Sequence, residues 1–179
     1  MRGRLALFAL GLFPVVAHAQ DIGATAPDFS APYVADSAAA PWHFADRGKA
    51  PLTLLYFWAT WCRPCEAFHP WLEAFAREYE SRGVKVVTID MREPADSIRR
   101  LLAPDTLSVT LDVLDPDGHI SDLYSVTSVP TTVLVAANNI VLRRWEGVTA
   151  ATAGIKPVVD RVLTPSSTAS SSRYNCAEP

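Results

Sequence analysis

The feature that most constrains the fold is an apolar segment that runs into two closely spaced cysteines. Residues 52–58 are nearly all apolar, which is typical of a central strand buried on both faces. Cys62 and Cys65 follow, and from Cys62 to about Ser81 the apolar side chains recur at helical spacing. We expect Pro70, inside this helix, to kink it. The apolar residues that define the helix are Phe68, Leu72, Phe75 and Tyr79.

The rest of the chain alternates β and α patterns and predicts an α/β fold. The predicted elements are a strand at 84–89, a helix at 94–102, a strand at 108–113, a turn at 115–118, a short helix at 120–124, strands at 132–136 and 140–146, and a last helix at 155–163 that starts near Pro157. This order predicts a mixed central sheet with helices on both faces. Residues 21–46 are expected to form an extended N-terminal arm that packs through Phe29, Tyr33, Trp42 and Phe44.

The first nineteen residues have the pattern of an export signal. Two arginines precede the apolar run 5–16, and an Ala-His-Ala sequence ends at Ala19. We therefore predict cleavage between Ala19 and Gln20, with a periplasmic or otherwise extracytoplasmic location. The alternative is an uncleaved membrane anchor, but the apolar run is shorter than the roughly 20 residues that span a bilayer. No stable membrane insertion is expected after cleavage.

Composition limits the remaining possibilities. The chain has 179 residues and a net charge of −3, with no block of basic residues, so no nucleic-acid partner is expected. Three cysteines are too few for a disulfide scaffold or for a zinc site with four cysteine ligands. Residues 20–163 are long enough for one domain, and the Ser-rich segment 164–179 is predicted to be a disordered tail. We expect the odd thiol, Cys176 in that tail, to be dispensable.

The Cys62–Cys65 pair is the candidate site for redox chemistry. At a helix N-terminus the free N–H groups and the helix dipole stabilise a thiolate. Arg63 adds a positive charge nearby, and Pro64 suits the first helical turn, where its missing N–H costs nothing. We therefore predict that Cys62 is the exposed nucleophile and that Cys65 is the more buried resolving thiol.

Three other uses of the cysteine pair are possible. Zinc would need a second pair of ligands, and neither His69 nor His119 belongs to a recognisable ligand pair. A purely structural disulfide is less consistent with an aromatic-flanked pair that opens a helix. A non-catalytic copper carrier could use the two thiolates as soft ligands. The redox interpretation needs no metal and no cofactor.

Two segments give the sequence a resemblance to a known superfamily. The stretch 57–65, Phe-Trp-Ala-Thr-Trp-Cys-Arg-Pro-Cys, with Pro70 in the following helix, resembles the thioredoxin superfamily. The segment 124–132 is similar to the loop in which that superfamily holds a cis-proline beside the active site. The motif at 23–29 and the signal peptide narrow the resemblance to TlpA/ResA-like extracytoplasmic thiol-disulfide oxidoreductases. The implied fold is thioredoxin-like.

The resemblance also implies roles for individual residues. Cys62 matches the attacking cysteine and Cys65 the resolving one, joined as a disulfide in the oxidised state. Pro130 matches the cis-proline, and Val129 the residue whose backbone pairs with an extended substrate segment. Gly147 matches a glycine near the substrate groove, and Trp61 would shield the sulfurs. The implied partners are disulfide-containing client proteins and a membrane thiol-disulfide electron donor.

The sequence departs from the family pattern at two positions close to the cysteines. Tyr56 and Phe68 occupy positions where relatives carry a carboxylate that manages the proton of the buried thiol. Glu66 is expected to be solvated, so Cys65 is predicted to titrate high in an apolar setting. Pro64 and the resemblance favour a reductase, and a disulfide oxidase or isomerase is the alternative.

Three further expectations concern residues around the site. Residues 26–29 also resemble the start of peroxiredoxins, but the cysteine pair disfavours a peroxidase. His69 could modulate the site from the helix, but an exposed helical histidine is the more common case and is expected here. Arg143, Arg144 and Trp145 are interpreted as a device that keeps an edge strand from aggregating.

Overall fold

The computed structural model describes residues 22–36, 38–101 and 109–164, and a five-stranded mixed sheet forms its centre. The strands are β1 (Ser30–Ala31), β2 (Trp42–His43), β3 (Leu52–Trp58), β4 (Val84–Met91), β5 (Leu111–Asp115), β6 (Thr131–Ala136) and β7 (Val141–Glu146). The helices are α1 (Arg63–Glu80), α2 (Ala95–Leu101), α3 (His119–Leu123) and α4 (Val148–Leu163), with a 3-10 turn at Phe44–Arg47.

The sheet has the strand order β5-β4-β3-β6-β7. Strands β3, β4 and β5 run parallel, and β6 and β7 are antiparallel to their neighbours. All seven side chains of β3 are buried, which confirms the central strand predicted from its apolar run. The parallel register places Trp58 opposite Asp90, so the carboxyl ends of β3 and β4 meet at the edge where the cysteines lie.

Two hydrophobic layers enclose the sheet. One layer contains alternate β3 residues together with α1, α2 and α4, and the other contains α3 and the N-terminal arm. The predicted α/β fold with helices on both faces is therefore confirmed. Burial of both faces also explains why β3 lacks an alternating pattern.

The N-terminal arm packs as predicted and also extends the sheet. Phe29 stacks on Phe44 with ring centroids 5.1 Å apart, and Trp42 meets Phe29 edge-on. The Val34 N–H donates to Asp112, and the Leu114 N–H donates to the Pro32 carbonyl. The arm thereby covers the outer edge of β5, which would otherwise expose unpaired backbone groups.

The last helix begins earlier than predicted. Strand β7 ends at Glu146, and α4 starts at Val148 rather than at residue 155. Its first half contains Gly154, a poor helix former, which hid the pattern in the sequence. The glycine is required because a Cβ there would lie 2.2 Å from the Trp145 indole nitrogen. Trp145 is therefore packed against α4, which corrects its interpretation as an edge-strand device.

The remaining predicted elements lie within a few residues of the observed ones. Strand β5 spans Leu111–Asp115, and the predicted turn at 115–118 follows it, because the Gly118 N–H donates to the Asp115 carbonyl at 3.1 Å. The predicted export signal, Cys176 and most of the predicted tail lie outside the described residues, and the domain boundaries stay predictions. Among the described helices, none has the length and apolar character to cross a membrane.

Candidate active site

Cys62 caps the N-terminus of α1. Its backbone is extended, and its Sγ accepts a hydrogen bond from the Cys65 N–H at 3.2 Å. The next N–H, that of Glu66, donates to the Cys62 carbonyl, while Pro64 has no N–H to satisfy. The sulfur that is predicted to become a thiolate thus lies where backbone N–H groups point at an anion.

Cys62 and Cys65 form a disulfide, with their Cα atoms 5.2 Å apart. Cys65 is fully buried and Cys62 is 5% exposed. Cys62 is therefore the more accessible of the two, as the assignment of nucleophile and resolving thiol requires. It is, however, buried rather than exposed in this oxidised state, because the sulfur bonds back toward the helix.

A carboxylate from the next strand holds the loop before Cys62. Glu93 follows β4, and its Oε2 accepts a 2.6 Å hydrogen bond from the Thr60 N–H. The Thr60 hydroxyl also donates to Glu93, and the Cys62 N–H donates to the Ala59 carbonyl at 3.1 Å. Glu93 was not singled out in the sequence. The sequence did offer one signal for Glu93, its position shortly after the strand predicted at 84–89. The carboxyl ends of parallel strands lie at the same edge of a sheet, so a side chain there can reach the cysteine loop.

The proline loop lies at the end of β3 that leads into the cysteines. The Val129–Pro130 peptide bond is cis, in agreement with the resemblance. In the β3–β6 register Thr131 pairs with Phe57, which places Pro130 next to the end of β3. The Pro130 carbonyl accepts a 2.8 Å hydrogen bond from the Gly147 N–H. Gly147 therefore helps to hold the proline loop in place. Its N–H is used in this bond and is not available to a substrate.

Arg144 also braces the proline loop. Its guanidinium donates to the carbonyls of Tyr124 and Ser125 at 2.9 and 3.2 Å, and to Glu146 at 3.1 Å. Its side chain is only 12% exposed. The interpretation of Arg144 as a solubility device is wrong, because the side chain reaches across to the segment that leads into Pro130.

The outer rim of the site carries Trp61, Arg63 and Pro64. All three are exposed, and Trp61 is 70% exposed, a large fraction for an indole. Trp61 therefore presents an apolar surface to the solvent directly before Cys62. Such a surface is available to a protein client.

A cluster of aromatic side chains, called the aromatic wall below, packs near Cys65 and consists of Tyr56, Trp58, Phe68 and His69. The Tyr56 hydroxyl points at the Cys65 carbonyl at 3.5 Å, the outer limit of hydrogen bonding, and its ring meets Phe68 edge-on. Burial raises the pKa of Tyr56 far above its usual value. His69 packs edge-on against Trp58 and Tyr56, at 4.6 and 5.6 Å between ring centroids. His69 is half-buried, so its predicted exposure is wrong.

Asp90 is a buried acid at the same edge of the sheet. It is 0% exposed, and Glu93 is its acidic neighbour, which the pKa of Asp90 also reflects. Burial raises its pKa to about 8, and the nearby charge of Glu93 adds to the effect. The neighbouring Trp58 indole N–H is also buried and has no acceptor within the part of the chain that the structure describes. Asp90 was missed because the predicted strand ended one residue before it.

No set of three or more His, Cys, Asp or Glu side chains in the described part of the chain is arranged to hold a metal ion. The site thus consists of the cysteine pair, the loop on each side of it and the buried groups beneath. These parts are sufficient for thiol-disulfide exchange, which needs only two sulfurs and a route for protons.

Comparison with known proteins assigns the family. The model of the AhpC/TSA family matches residues 22–144, which is more than half of the chain. The chain belongs to the AhpC/TSA family. The match includes the arm, the cysteine pair and Pro130, so the AhpC/TSA region contains nearly the whole site.

Relatives of this AhpC/TSA protein carry names that agree with the chemistry of the site. Thiol-disulfide oxidoreductase ResA of Oceanobacillus iheyensis is 29% identical over 148 residues, covering 75% of this chain and 72% of the relative. ResA of Geobacillus kaustophilus is 31% identical over 118 residues, which is 65% of this chain and 64% of that protein. The second match thus spans slightly less than two thirds of the relative.

A solved structure agrees with the fold. A Chlorobium tepidum protein assigned as thiol:disulfide interchange protein DsbE has a TM-score of 0.71 and 27% identity, covering 80% of this chain and 99% of its own. The thioredoxin-like fold and the class of thiol-disulfide oxidoreductase are confirmed. Export, the direction of electron flow and the partners stay predictions.

Proposed function

We propose that the chain is an exported reductase of protein disulfides that works through Cys62 and Cys65. The observation that supports it best is the placement of the pair at the start of α1, where Cys62 Sγ accepts the Cys65 N–H and Cys65 is fully buried. Two thiols of unequal access, joined as a disulfide in the oxidised state, can pass two electrons in ordered steps.

The reaction starts from the reduced dithiol. The Cys62 thiolate attacks one sulfur of the client disulfide, and the other client sulfur leaves as a thiolate that takes up a proton. Cys65 then loses its proton and attacks Cys62, so that the Cys62–Cys65 bond forms and the second client sulfur leaves. The client has gained two electrons and two protons, and the enzyme has lost the same number.

The electrostatics of the pair favour donation of electrons. A strongly oxidising pair requires a strongly stabilised thiolate. Cys62 receives one backbone N–H and the helix dipole, while Arg63 is exposed to solvent, where its charge is screened. Cys65 is fully buried beside an aromatic wall, which disfavours a second thiolate. The reduced form is therefore not over-stabilised, as a reductase requires.

The client segment is proposed to bind in extended form beside Val129. Neither backbone group of Val129 has a hydrogen-bond partner among the described residues, so a client strand can add to it. Trp61 supplies an exposed apolar face next to Cys62. Gly147 leaves open space around its α-carbon, which would keep the groove clear.

Substitution of each cysteine tests the proposal. In full-length protein carrying Cys176→Ser, Cys62→Ser is expected to abolish reduction of insulin disulfides. Cys65→Ser is expected to keep the first attack and to accumulate a mixed disulfide through Cys62. The Cys176→Ser protein, with both active-site thiols, is the matched control and is expected to be active. Full activity of the Cys62→Ser variant would end the proposal.

Export and recharging have separate tests. Cleavage after Ala19 predicts a mature protein whose N-terminus is Gln20, which intact-mass measurement of the extracytoplasmic fraction would reveal.

The electron donor is proposed to be a membrane thiol-disulfide protein. Oxidised Cys176→Ser protein, which keeps the Cys62–Cys65 disulfide, is expected to be reduced by the membrane fraction of the source cells, as alkylation of the two thiols would show, and reduction by the soluble fraction alone would contradict a membrane donor.

A further inference from the structure

The resolving step needs a group that takes the proton of Cys65. The thiol is fully buried and must become a thiolate before it can attack Cys62. A thiol buried among apolar groups holds its proton tightly, so a nearby base would accelerate the step. Tyr56, whose hydroxyl points at the Cys65 carbonyl, and Phe68, which packs on the Tyr56 ring, do not accept a proton at neutral pH.

His69 lies where such a base is needed. It follows Cys65 by four residues on α1, so the two side chains occupy one face of the helix, one turn apart. Side chains on a helix lean toward its N-terminus, which directs the imidazole toward Cys65. The ring packs at 4.6 Å from Trp58 and 5.6 Å from Tyr56, the two strand residues beneath the cysteine pair.

The imidazole is also in the correct protonation state. Burial lowers the pKa of His69, and the charges of Glu73 and Glu66 on the same helix oppose the effect without cancelling it. The ring contacts of His69 with Trp58 and Tyr56 are edge-on aromatic contacts. The lowered pKa favours the neutral form of His69 at pH 7, and a neutral imidazole has one ring nitrogen that can accept a proton.

Other titratable groups near the thiol cannot take this role. The Tyr56 hydroxyl points at the Cys65 carbonyl, and burial raises its pKa. Glu66 is exposed on the first turn of α1. Asp90 lies on β4 opposite Trp58, and burial raises its pKa to about 8, so it is protonated and cannot accept a proton at pH 7.

We propose that His69 is the general base of the resolving step, in which it accepts the proton of the Cys65 thiol. The proposal rests on the exchange reaction proposed above. As the proton moves to the imidazole, the Cys65 sulfur attacks Cys62 Sγ, the Cys62–Cys65 bond forms and the client sulfur leaves with the bonding electron pair. The imidazolium then returns its proton to the leaving thiolate or to water, so protons and electrons balance.

A small aromatic disulfide, dithiobis-nitrobenzoate, separates the two steps. Reduced full-length protein carrying Cys176→Ser releases one coloured thiolate when Cys62 attacks and a second when Cys65 resolves the mixed disulfide. His69→Gln is expected to leave the first release unchanged within about twofold and to slow the second by about 10- to 100-fold at pH 7. His119→Gln, an exposed histidine on α3, is the matched control and is expected to change neither step.

The pH profile distinguishes a base from a structural contact. In the parent, the rate of the second release is expected to rise with pH along a limb centred below pH 6.5. In His69→Gln, this limb of the rate profile is expected to be absent. An unchanged second rate and profile in the variant would overturn the assignment of His69, while the absence of a second release in the parent would overturn the exchange reaction itself.

A second measurement avoids any substitution at His69. In an NMR titration of the parent, reduction of the disulfide is expected to shift the His69 pKa, because the imidazole then has a thiol neighbour. Identical His69 titrations in the two redox states would overturn the proposal even if the variant fails to fold.

Discussion

Replacing Asp90 by Asn is expected to stabilise the protein at neutral pH. The carboxyl is 0% exposed, and burial, together with the neighbouring Glu93, raises its pKa from 3.8 to about 8. In the unfolded chain the same group ionises freely at pH 7. Since one pKa unit corresponds to about 1.4 kcal/mol, ionisation favours the unfolded state by about 4 kcal/mol at pH 7. Asn is neutral in both states, so the substitution removes this unfavourable contribution to the free energy of unfolding.

The pH dependence gives the sign of the effect. Between about pH 4 and pH 8 the folded protein binds more protons at Asp90 than the unfolded chain, so stability falls as the pH rises. This group alone contributes a slope of about 1.4 kcal/mol per pH unit in that window. The gain from Asp90→Asn should therefore be small near pH 4 and should grow to about 2–4 kcal/mol at pH 7.

Urea unfolding of the disulfide form at several pH values checks this expectation. Asp46→Asn, which changes an exposed aspartate, is the matched control and should alter the free energy of unfolding by less than about 0.5 kcal/mol. A destabilised Asp90→Asn variant, or a gain that does not change with pH, would refute the reasoning.

The other predictions concern the loops around the cysteines. Arg144→Ala removes both bonds to the Tyr124 and Ser125 carbonyls and should cost about 1–3 kcal/mol in urea unfolding, whereas Arg143→Ala, at an exposed neighbour, should cost under about 0.5 kcal/mol. An equal loss of unfolding free energy in the two variants would contradict the role of Arg144 in holding the proline loop. Trp61→Ala should raise KM for a protein disulfide by about 10-fold while the reaction with a small aromatic disulfide stays within about twofold, because a protein client buries far more apolar surface against the exposed indole. A matched loss on both substrates would mean that Trp61 acts on the sulfurs instead.

Local patterns predicted the centre of the fold well. Strand β3 matches its predicted span, because a strand buried on both faces must be apolar throughout. The start of α1 was predicted for the same kind of reason: Cys62, Pro64 and the apolar periodicity after them are all local signals of a helix N-terminus. The cysteine pair is part of this local pattern and needed no tertiary information.

The groups that the sequence did not reveal depend on contacts between distant segments. Glu93 and Asp90 belong to the site only because β4 runs parallel to β3 and ends at the same edge. His69 is half-buried because Trp58 lies beneath it. Arg144 reaches from β7 to the segment that leads into Pro130, and Gly154 on α4 is required by Trp145 on β7. In each case residue type alone suggested a solvated or helix-breaking role.

The reduction potential of the Cys62–Cys65 pair tests the central claim most directly. It can be measured on full-length protein carrying Cys176→Ser, equilibrated with glutathione or dithiothreitol and quenched by alkylation. The account predicts a potential near or below about −250 mV, in the range of dedicated reductases. A value between about −120 and −180 mV would contradict it and would make the protein an oxidant or isomerase of exported disulfides.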